Sequence, residues 1–254
     1  MPAGTVVPEG GKHQMNISPE STIRDIAAEH PSTVRVFEKS GIDYCCGGAR
    51  SLQAACDSKN LDVEDLLARL HQAETEPLSS DLRDWKAARL ADVMAHIVER
   101  HHEYVRSESP RLQNLIEKVI SRHGDTQPHL QAVRQRFEKL SAEMSTHMMK
   151  EEQVLFPYIS RMEAAVEARK PVPAPFFGTV QNPIRAMMNE HDDAGVLTTE
   201  IRHLTSDYTP PASACPTYRA MLTGLSEFEQ DLHRHVHLEN NILFPRAVKI
   251  EQGS

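Results

Sequence analysis

Two stretches of the chain repeat one spacing of histidine and glutamate. His147 is followed by Glu151 and His235 by Glu239, and the same Leu-Phe-Pro sequence follows each pair. In a helix, residues four apart lie one above the other on the same face. Each copy is therefore predicted to direct one imidazole and one carboxylate to the same point, as the two-metal sites of helical bundles require.

Two further histidines extend the repeat. His102 lies 45 residues before His147, and His191 lies 44 residues before His235. This matched spacing predicts two related helical hairpins, which together make a four-helix bundle with pseudo-twofold symmetry. His101 is adjacent to His102, and we choose His102 because it matches His191. The predicted metal ligands are His102, His147, Glu151, His191, His235 and Glu239.

The chemistry of this ligand set favours iron or manganese. Carboxylates can bridge two metal ions while imidazoles complete each end, whereas zinc prefers closed tetrahedral sites of nitrogen and sulfur. The alternative is a set of histidines that merely pack in a core, but buried carboxylates without a cation are strongly disfavoured. Glu152 points about 100° away from Glu151 on a helix, so it is predicted to be solvated or to lie outside the ligand set.

The pattern of apolar residues and prolines predicts an all-α protein in four sections. Residues 1–16 form a disordered lead, residues 17–75 a small helical domain, residues 76–84 a linker and residues 85–250 the bundle. The bundle helices are predicted over residues 90–122, 128–159, 182–205 and 217–248, and are called A, B, C and D below.

Charge and composition narrow the class of protein. The net charge is -8 and no block of basic residues stands out, so nucleic acid is not an expected partner. No run approaches the roughly 18 apolar residues of a membrane span, and the first residues lack the apolar core of a signal peptide. A cytoplasmic protein away from membranes is expected, and its four cysteines are not predicted to form a disulfide framework.

Cys45 and Cys46 form the second candidate for chemistry. They precede a glycine pair and the start of a predicted helix, whose dipole would favour a thiolate. The residues alone leave two readings equally open: a reactive pair that handles iron, nitric oxide or electrons, and buried thiols that pack a turn. Cys56 and Cys215 are predicted to be inert.

Residues 85–250 resemble a hemerythrin-like di-iron bundle, and residues 17–250 resemble the repair-of-iron-centres family of bacterial di-iron proteins. The resemblance implies an oxo- and carboxylate-bridged pair of iron ions. It lies in four motifs: Gly41-Ile-Asp-Tyr-Cys-Cys-Gly-Gly48, the stretch from His147 to Pro157, Asn189-Glu-His-Asp-Asp-Ala-Gly195, and Leu238-Glu-Asn-Asn-Ile-Leu-Phe-Pro-Arg246.

The function implied by this resemblance is repair of iron–sulfur clusters damaged by nitrosative or oxidative stress, by iron donation. Cys45 and Cys46 would then act as an iron or thiol relay. The implied partners are damaged iron–sulfur proteins or cluster-assembly scaffolds, and the small molecules are nitric oxide, oxygen and peroxide. A homodimer is expected because the family forms one.

The chain departs from oxygen-carrying hemerythrins at one position. Those proteins place a second histidine four residues after the first on the third helix, where this chain has Gly195. A position left open for a small ligand motivates one alternative, a di-iron nitric oxide reductase that makes nitrous oxide. A gas-binding or sensing module is a further alternative, but the missing histidine argues against it. The resemblance also includes a histidine at His123. An unbroken helix would place it about 30 Å from His102, so a role at the helix C-terminus is favoured over ligation.

Overall fold

A computed structural model describes residues 17–75 and 84–253 of the chain. Its first unit contains four short helices and a 3-10 turn at Pro31–Thr33, and Gly41 (φ 65°) ends the second helix in the left-handed conformation that glycine tolerates. The helices are α1 (Ile23–Glu29), α2 (Val34–Ser40), α3 (Leu52–Lys59) and α4 (Val63–Thr75). The predicted lead and residues 76–83 of the predicted linker lie outside the described residues, and the domain boundaries stay predictions.

Helices α1 to α4 surround an apolar core of their own. Phe37, Leu52, Cys56 and Leu70 are fully buried in it. Buried apolar side chains recur at helical spacing within the helices, as Leu52 and Cys56 do in α3. Isolated helices this short are not stable in water, so the four helices are stabilised by packing on this shared core.

Four long helices follow, as the repeat predicts, and the all-α bundle is confirmed. Three of them change to a π-helical segment part-way, while helix C continues as α-helix. Helix A contains α5 (Leu90–His96), π segment Ile97–His102 and α6 (Glu103–His123); helix B contains α7 (His129–Lys150), π segment Glu151–Leu155 and α8 (Phe156–Glu167); helix C is α9 (Gln181–Leu204); helix D contains α10 (Pro216–His237), π segment Leu238–Leu243 and α11 (Phe244–Glu251).

The predicted end of helix B at residue 159 is wrong, because the helix continues to Glu167. Pro157 lies just after the π segment within this continuous helix, where the change from π to α hydrogen bonding tolerates a residue without an N–H. Tyr158, Ile159 and Met162 then continue the buried face of the helix.

The bundle core consists of two apolar clusters separated along the helices. One cluster includes Leu112, Phe137 and Phe228, and the other includes Ile159 and Leu243. The predicted ligands lie in sequence close to the change from one cluster to the other, so the bundle has a polar layer between two apolar layers. In the part of the chain that the structure describes, no helix has both the length and the apolar character needed to cross a membrane.

The N-terminal unit packs on helix D through a charged pair and a shared core. Arg234 donates two hydrogen bonds to Glu38, at 2.8 and 2.9 Å, and the Tyr44 hydroxyl donates to the same carboxylate at 3.1 Å. Asn241 donates to the Tyr44 carbonyl at 3.0 Å. Cys45, although it belongs to the first unit, is buried in the apolar cluster of the bundle.

Replacing Glu38 with Gln is expected to weaken this docking and expose Cys45. Loss of the charged partner should cost about 1 kcal/mol, because the Arg234 side chain is partly exposed and screened by solvent. The rate of Cys45 alkylation should therefore rise about fivefold. Cys56 is the matched control, because it lies in the core of the N-terminal unit itself. An equal rise at both thiols, or no rise at Cys45, would contradict the docking role.

Candidate metal centre

The structure brings all six predicted ligands into one buried layer. Their donor atoms form two groups, and the atoms within each group lie within 4.8 Å of one another. Both groups share Glu151 and Glu239, and every side chain of the six is at most 1% exposed. The first group adds His102 and His235, and the second adds His147 and His191.

The π segments coincide with this layer. Glu151 begins one segment, His102 ends another, and Glu239 lies in the third. A π turn adds a residue to the helical repeat and rotates the residues that follow, and such turns are frequent at functional sites. The apolar faces on both sides of the layer can therefore point inward together with the ligand side chains. The sequence pattern gave no sign of these segments.

Three imidazoles are held by a hydrogen bond at Nδ1. Each partner is an oxygen acceptor from a neighbouring helix: Glu152 Oε1 on His102 at 2.6 Å, Glu190 Oε2 on His147 at 2.9 Å, and Asn240 Oδ1 on His191 at 2.9 Å. Such acceptors keep the proton on Nδ1 and leave the Nε2 lone pair for a metal. Glu152 was predicted to lie outside the ligand set, whereas Glu190 and Asn240 were not predicted to take part. The only signal for these two in the sequence is that each is adjacent to a predicted ligand.

The inner nitrogens then face one another in a way that fits a cation. Nε2 of His147 lies 3.0 Å from Nε2 of His191, and Nε2 of His102 lies 3.1 Å from Nε2 of His235. Because the Nδ1 atoms of the second group both donate, its two Nε2 lone pairs point at each other. Both Glu151 oxygens also lack a hydrogen-bond partner among the described residues. A positive ion between these donors would relieve the repulsion and satisfy the carboxylate.

The titration behaviour of the layer follows from its burial. Burial, together with the charge of a neighbouring imidazole, lowers the pKa of His102 to about 4 and that of His147 to about 3. Burial, aided by the charge of Glu239, holds the pKa of Glu151 well above its usual range. The pKa of Glu239 is held low by His235 and His191 against the opposing effect of burial. Cation binding would therefore displace a proton from Glu151.

The Leu-Phe-Pro ending of each repeat has a structural role at the centre. Phe156 stacks on His102 with ring centroids 6.0 Å apart, and Phe244 stacks on His191 at 6.2 Å. Each phenylalanine thus covers an imidazole of the helix paired with its own. This arrangement preserves the pseudo-twofold symmetry and keeps one face of each imidazole dry.

The cysteine pair lies against helix C beside the centre. The Sγ atoms of Cys45 and Cys46 are 4.0 Å apart, and the Cys46 thiol lies 3.6 Å from the His191 carbonyl oxygen. A side chain at Gly195 would place its Cβ 3.7 Å from the same Sγ. The thiol of Cys46 therefore lies next to the position where oxygen-carrying hemerythrins have their second histidine.

The expected effect of a helix dipole on these thiols is wrong. Helix α3 begins only at Leu52, so the turn is instead held by Asp43, which accepts from the backbone N–H groups of Cys45, Cys46 and Gly47. The hydrogen bond to Cys46, together with burial, raises the pKa of the Cys45 thiol well above its usual range. Cys45 is thus a protonated thiol in this conformation.

Comparison with known proteins gives two family matches. Residues 93–247 match the hemerythrin HHE cation-binding domain, and residues 19–74 match a domain of unknown function, DUF542. The chain is 37% identical to a probable iron–sulfur cluster repair protein of Haemophilus influenzae, over 90% of this chain and 97% of the relative. It is also 37% identical to the iron–sulfur cluster repair protein YtfE of Pectobacterium carotovorum, over 91% of this chain and 98% of the relative.

The chain belongs to this hemerythrin-type iron–sulfur cluster repair family. A domain of this type implies iron binding, and the two groups of histidine and glutamate supply donors that can hold a metal. The family resemblance inferred from the repeated motifs is confirmed.

His101 and His123 lie outside both donor groups. The Nδ1 atom of His101 bonds to Asp231 at 3.0 Å. The His123 imidazole bonds through Nε2 to the thiol of Cys215, the residue just before helix D, at 3.3 Å. This contact replaces the predicted role at the end of its own helix. The prediction that Cys215 is inert needs correction. Its hydrogen bond to His123, with the N–H groups at the start of α10, lowers the pKa of Cys215 to about 7.

Alkylation of Cys215 should consequently reach half its maximal rate near pH 7. In the variant His123→Phe, which keeps an aromatic ring beside Tyr218 but removes the nitrogen, the midpoint should move towards the ordinary thiol value of about 8.5. The rate is measured by mass spectrometry of each cysteine peptide between pH 6 and 9. An unchanged midpoint in the variant would show that His123 does not stabilise the thiolate.

Proposed function

We propose that this protein repairs iron–sulfur clusters damaged by nitrosative or oxidative stress, and that it does so by donating iron. The observation that carries the proposal is the pair of buried donor groups sharing Glu151 and Glu239. The relatives named as iron–sulfur cluster repair proteins align with almost the whole chain and support the same function.

The centre is proposed to hold two iron ions, bridged by the two shared carboxylates and an oxo group. His102 and His235 would hold one ion, and His147 and His191 the other. Bound iron supplies the exchangeable metal for a damaged cluster. The donor set contains nitrogen and oxygen but no thiolate, and soft sulfur ligands such as those of a recipient cluster would compete well for iron.

Cys45 and Cys46 are proposed to relay iron between the centre and its recipient. Their support is position: Cys46 contacts the backbone of the ligand His191, and the pair lies where the N-terminal unit meets the bundle. The recipients would be damaged iron–sulfur proteins or cluster-assembly scaffolds. All four cysteines are free thiols, which is their ordinary state in the reducing cytoplasm proposed as the site of action.

Nitric oxide reduction and gas sensing are not favoured. The reductase depended on an open position at Gly195, and the Cys46 thiol lies beside that position. Gas sensing is disfavoured because the histidine of oxygen-carrying hemerythrins is missing there. The relatives compared above also carry repair names. Binding of nitric oxide, oxygen or peroxide stays a prediction, as does homodimerisation.

The variant Glu151→Gln tests the centre. Because Glu151 belongs to both donor groups, the iron content should fall from about two ions per chain towards zero, and repair of a damaged cluster enzyme should be lost with it. Elemental analysis after anaerobic purification measures the iron. Glu227→Gln on the exposed face of helix D is the matched control and should keep both properties. Wild-type iron content in Glu151→Gln would refute the proposed ligand set.

The variant Cys46→Ser tests the relay separately. It should keep the iron content of the wild type but transfer iron to an apo-cluster acceptor more slowly, since the hydroxyl is a poor ligand for the departing ion. Transfer is followed by the recovery of the acceptor's activity. Cys215→Ser, at the far end of helix D from Glu239, serves as the control thiol. Equal transfer rates in both variants would exclude Cys46 from the path.

A further inference from the structure

Three of the four imidazoles are anchored by residues that stand next to a candidate ligand in the sequence: Glu152, Glu190 and Asn240. The pseudo-twofold symmetry that relates helices A and B to C and D pairs Glu152 with Asn240. It pairs Glu190, one residue before the ligand of helix C, with His101, one residue before the ligand of helix A. By symmetry, His101 occupies the place of the fourth anchor.

His101 does not fill that role as its counterpart does. Its ring lies parallel to the His235 ring, with an interplanar angle of 4° and centroids 5.6 Å apart, so it stacks rather than accepts a hydrogen bond. The Nδ1 atom of His235 is buried and has no hydrogen-bond partner among residues 17–75 and 84–253. A buried polar group left unpaired in this way is costly, and metal-bound imidazoles almost always donate from the outer nitrogen.

A candidate for the acceptor that His235 lacks lies one helical turn away. Asp231 precedes His235 by four residues on α10, so both side chains lie on the same face. One of its oxygens, Oδ1, holds the Nδ1 of His101 at 3.0 Å. The other, Oδ2, is buried and has no partner within the described part of the chain. An unpaired donor and an unpaired acceptor thus occur together beside one half of the centre.

We propose that Asp231 is the positioning residue of His235. Its Oδ2 accepts the Nδ1–H of His235 when the centre holds iron, while its Oδ1 holds His101 in the stack that fixes the plane of the ring. The inference rests on the proposed function in one respect, namely that the centre holds two irons. It assigns Asp231 to one half of the centre, the group containing His102 and His235.

This anchor also stands where the two units of the protein meet. Asp231 and His101 line a cavity of about 70 Å³ between the N-terminal unit and the bundle, together with Arg100 and Arg234. The other three anchors do not line it. The proposed anchor of His235 therefore lies at the face of helix D on which the N-terminal unit packs.

The variant Asp231→Leu, which has a similar size but no acceptor, tests the proposal. In protein loaded with ⁵⁷Fe under anaerobic conditions, one of the two irons should be extracted by a ferrous chelator about 10 to 100 times faster than in the wild type. The other should leave at the wild-type rate. Mössbauer spectra should show one altered iron environment and one unchanged environment. Asp231→Asn keeps an acceptor oxygen and should restore slow release.

The matched control is Asn240→Leu, which removes the anchor of His191 in the other half and should alter the other iron environment. Circular dichroism of the metal-free variants checks the fold. Equal acceleration of both irons, wild-type release in Asp231→Leu, or fast release in Asp231→Asn would overturn the assignment. Wild-type protein that retains two irons but fails to repair clusters would sink the proposed function and leave this inference standing, whereas wild-type protein unable to retain two irons would overturn both.

Discussion

Two carboxylates, Glu151 and Glu239, are fully buried in the middle of a helical bundle, and the free energy of holding their charge away from water governs the structure around them. An ionised carboxylate in an apolar interior is strongly disfavoured unless a cation or several donors compensate it. Four imidazoles surround the pair, and those of His102 and His147 are kept neutral by burial. A bound cation would supply the positive charge that neutral imidazoles cannot.

The same constraint explains how the layer is connected to the surface. Glu152 bonds to His102 on one side and to Arg106 on the other, and Glu190 bonds to both His147 and Lys150. Each of these two carboxylates therefore lies between a buried imidazole and an exposed cation. From the core to the solvent, a buried imidazole, a carboxylate and an exposed cation follow one another. Neither Glu152 nor Glu190 is therefore left without a partner.

Docking of the N-terminal unit brings the second chemical group of the protein to this layer. The Glu38–Arg234 pair holds the unit on helix D, and the turn built on Asp43 places Cys46 against helix C at His191. The thiols and the centre come from separate parts of the chain, and the contact between the two units brings them next to each other. This arrangement suits a protein that passes metal between two kinds of ligand.

The sequence by itself determined the bundle and the six side chains of its polar layer. Periodicity within a helix is local, so the spacing of His147 and Glu151, repeated at His235 and Glu239, was sufficient to place them on one face. The matched distances to His102 and His191 then predicted the pairing of hairpins. The later end of helix B was missed because the buried face of the helix continues past residue 159 to Met162.

Only the tertiary structure decided the rest. The anchors Glu190 and Asn240, the contact of Cys46 beside Gly195 and the pairing of His123 with Cys215 join residues on different helices. No local pattern records such contacts, because they depend on how the helices cross and not on the period within any one of them. The π segments belong to the same class, since they adjust each helix to a centre that exists only once all four have packed.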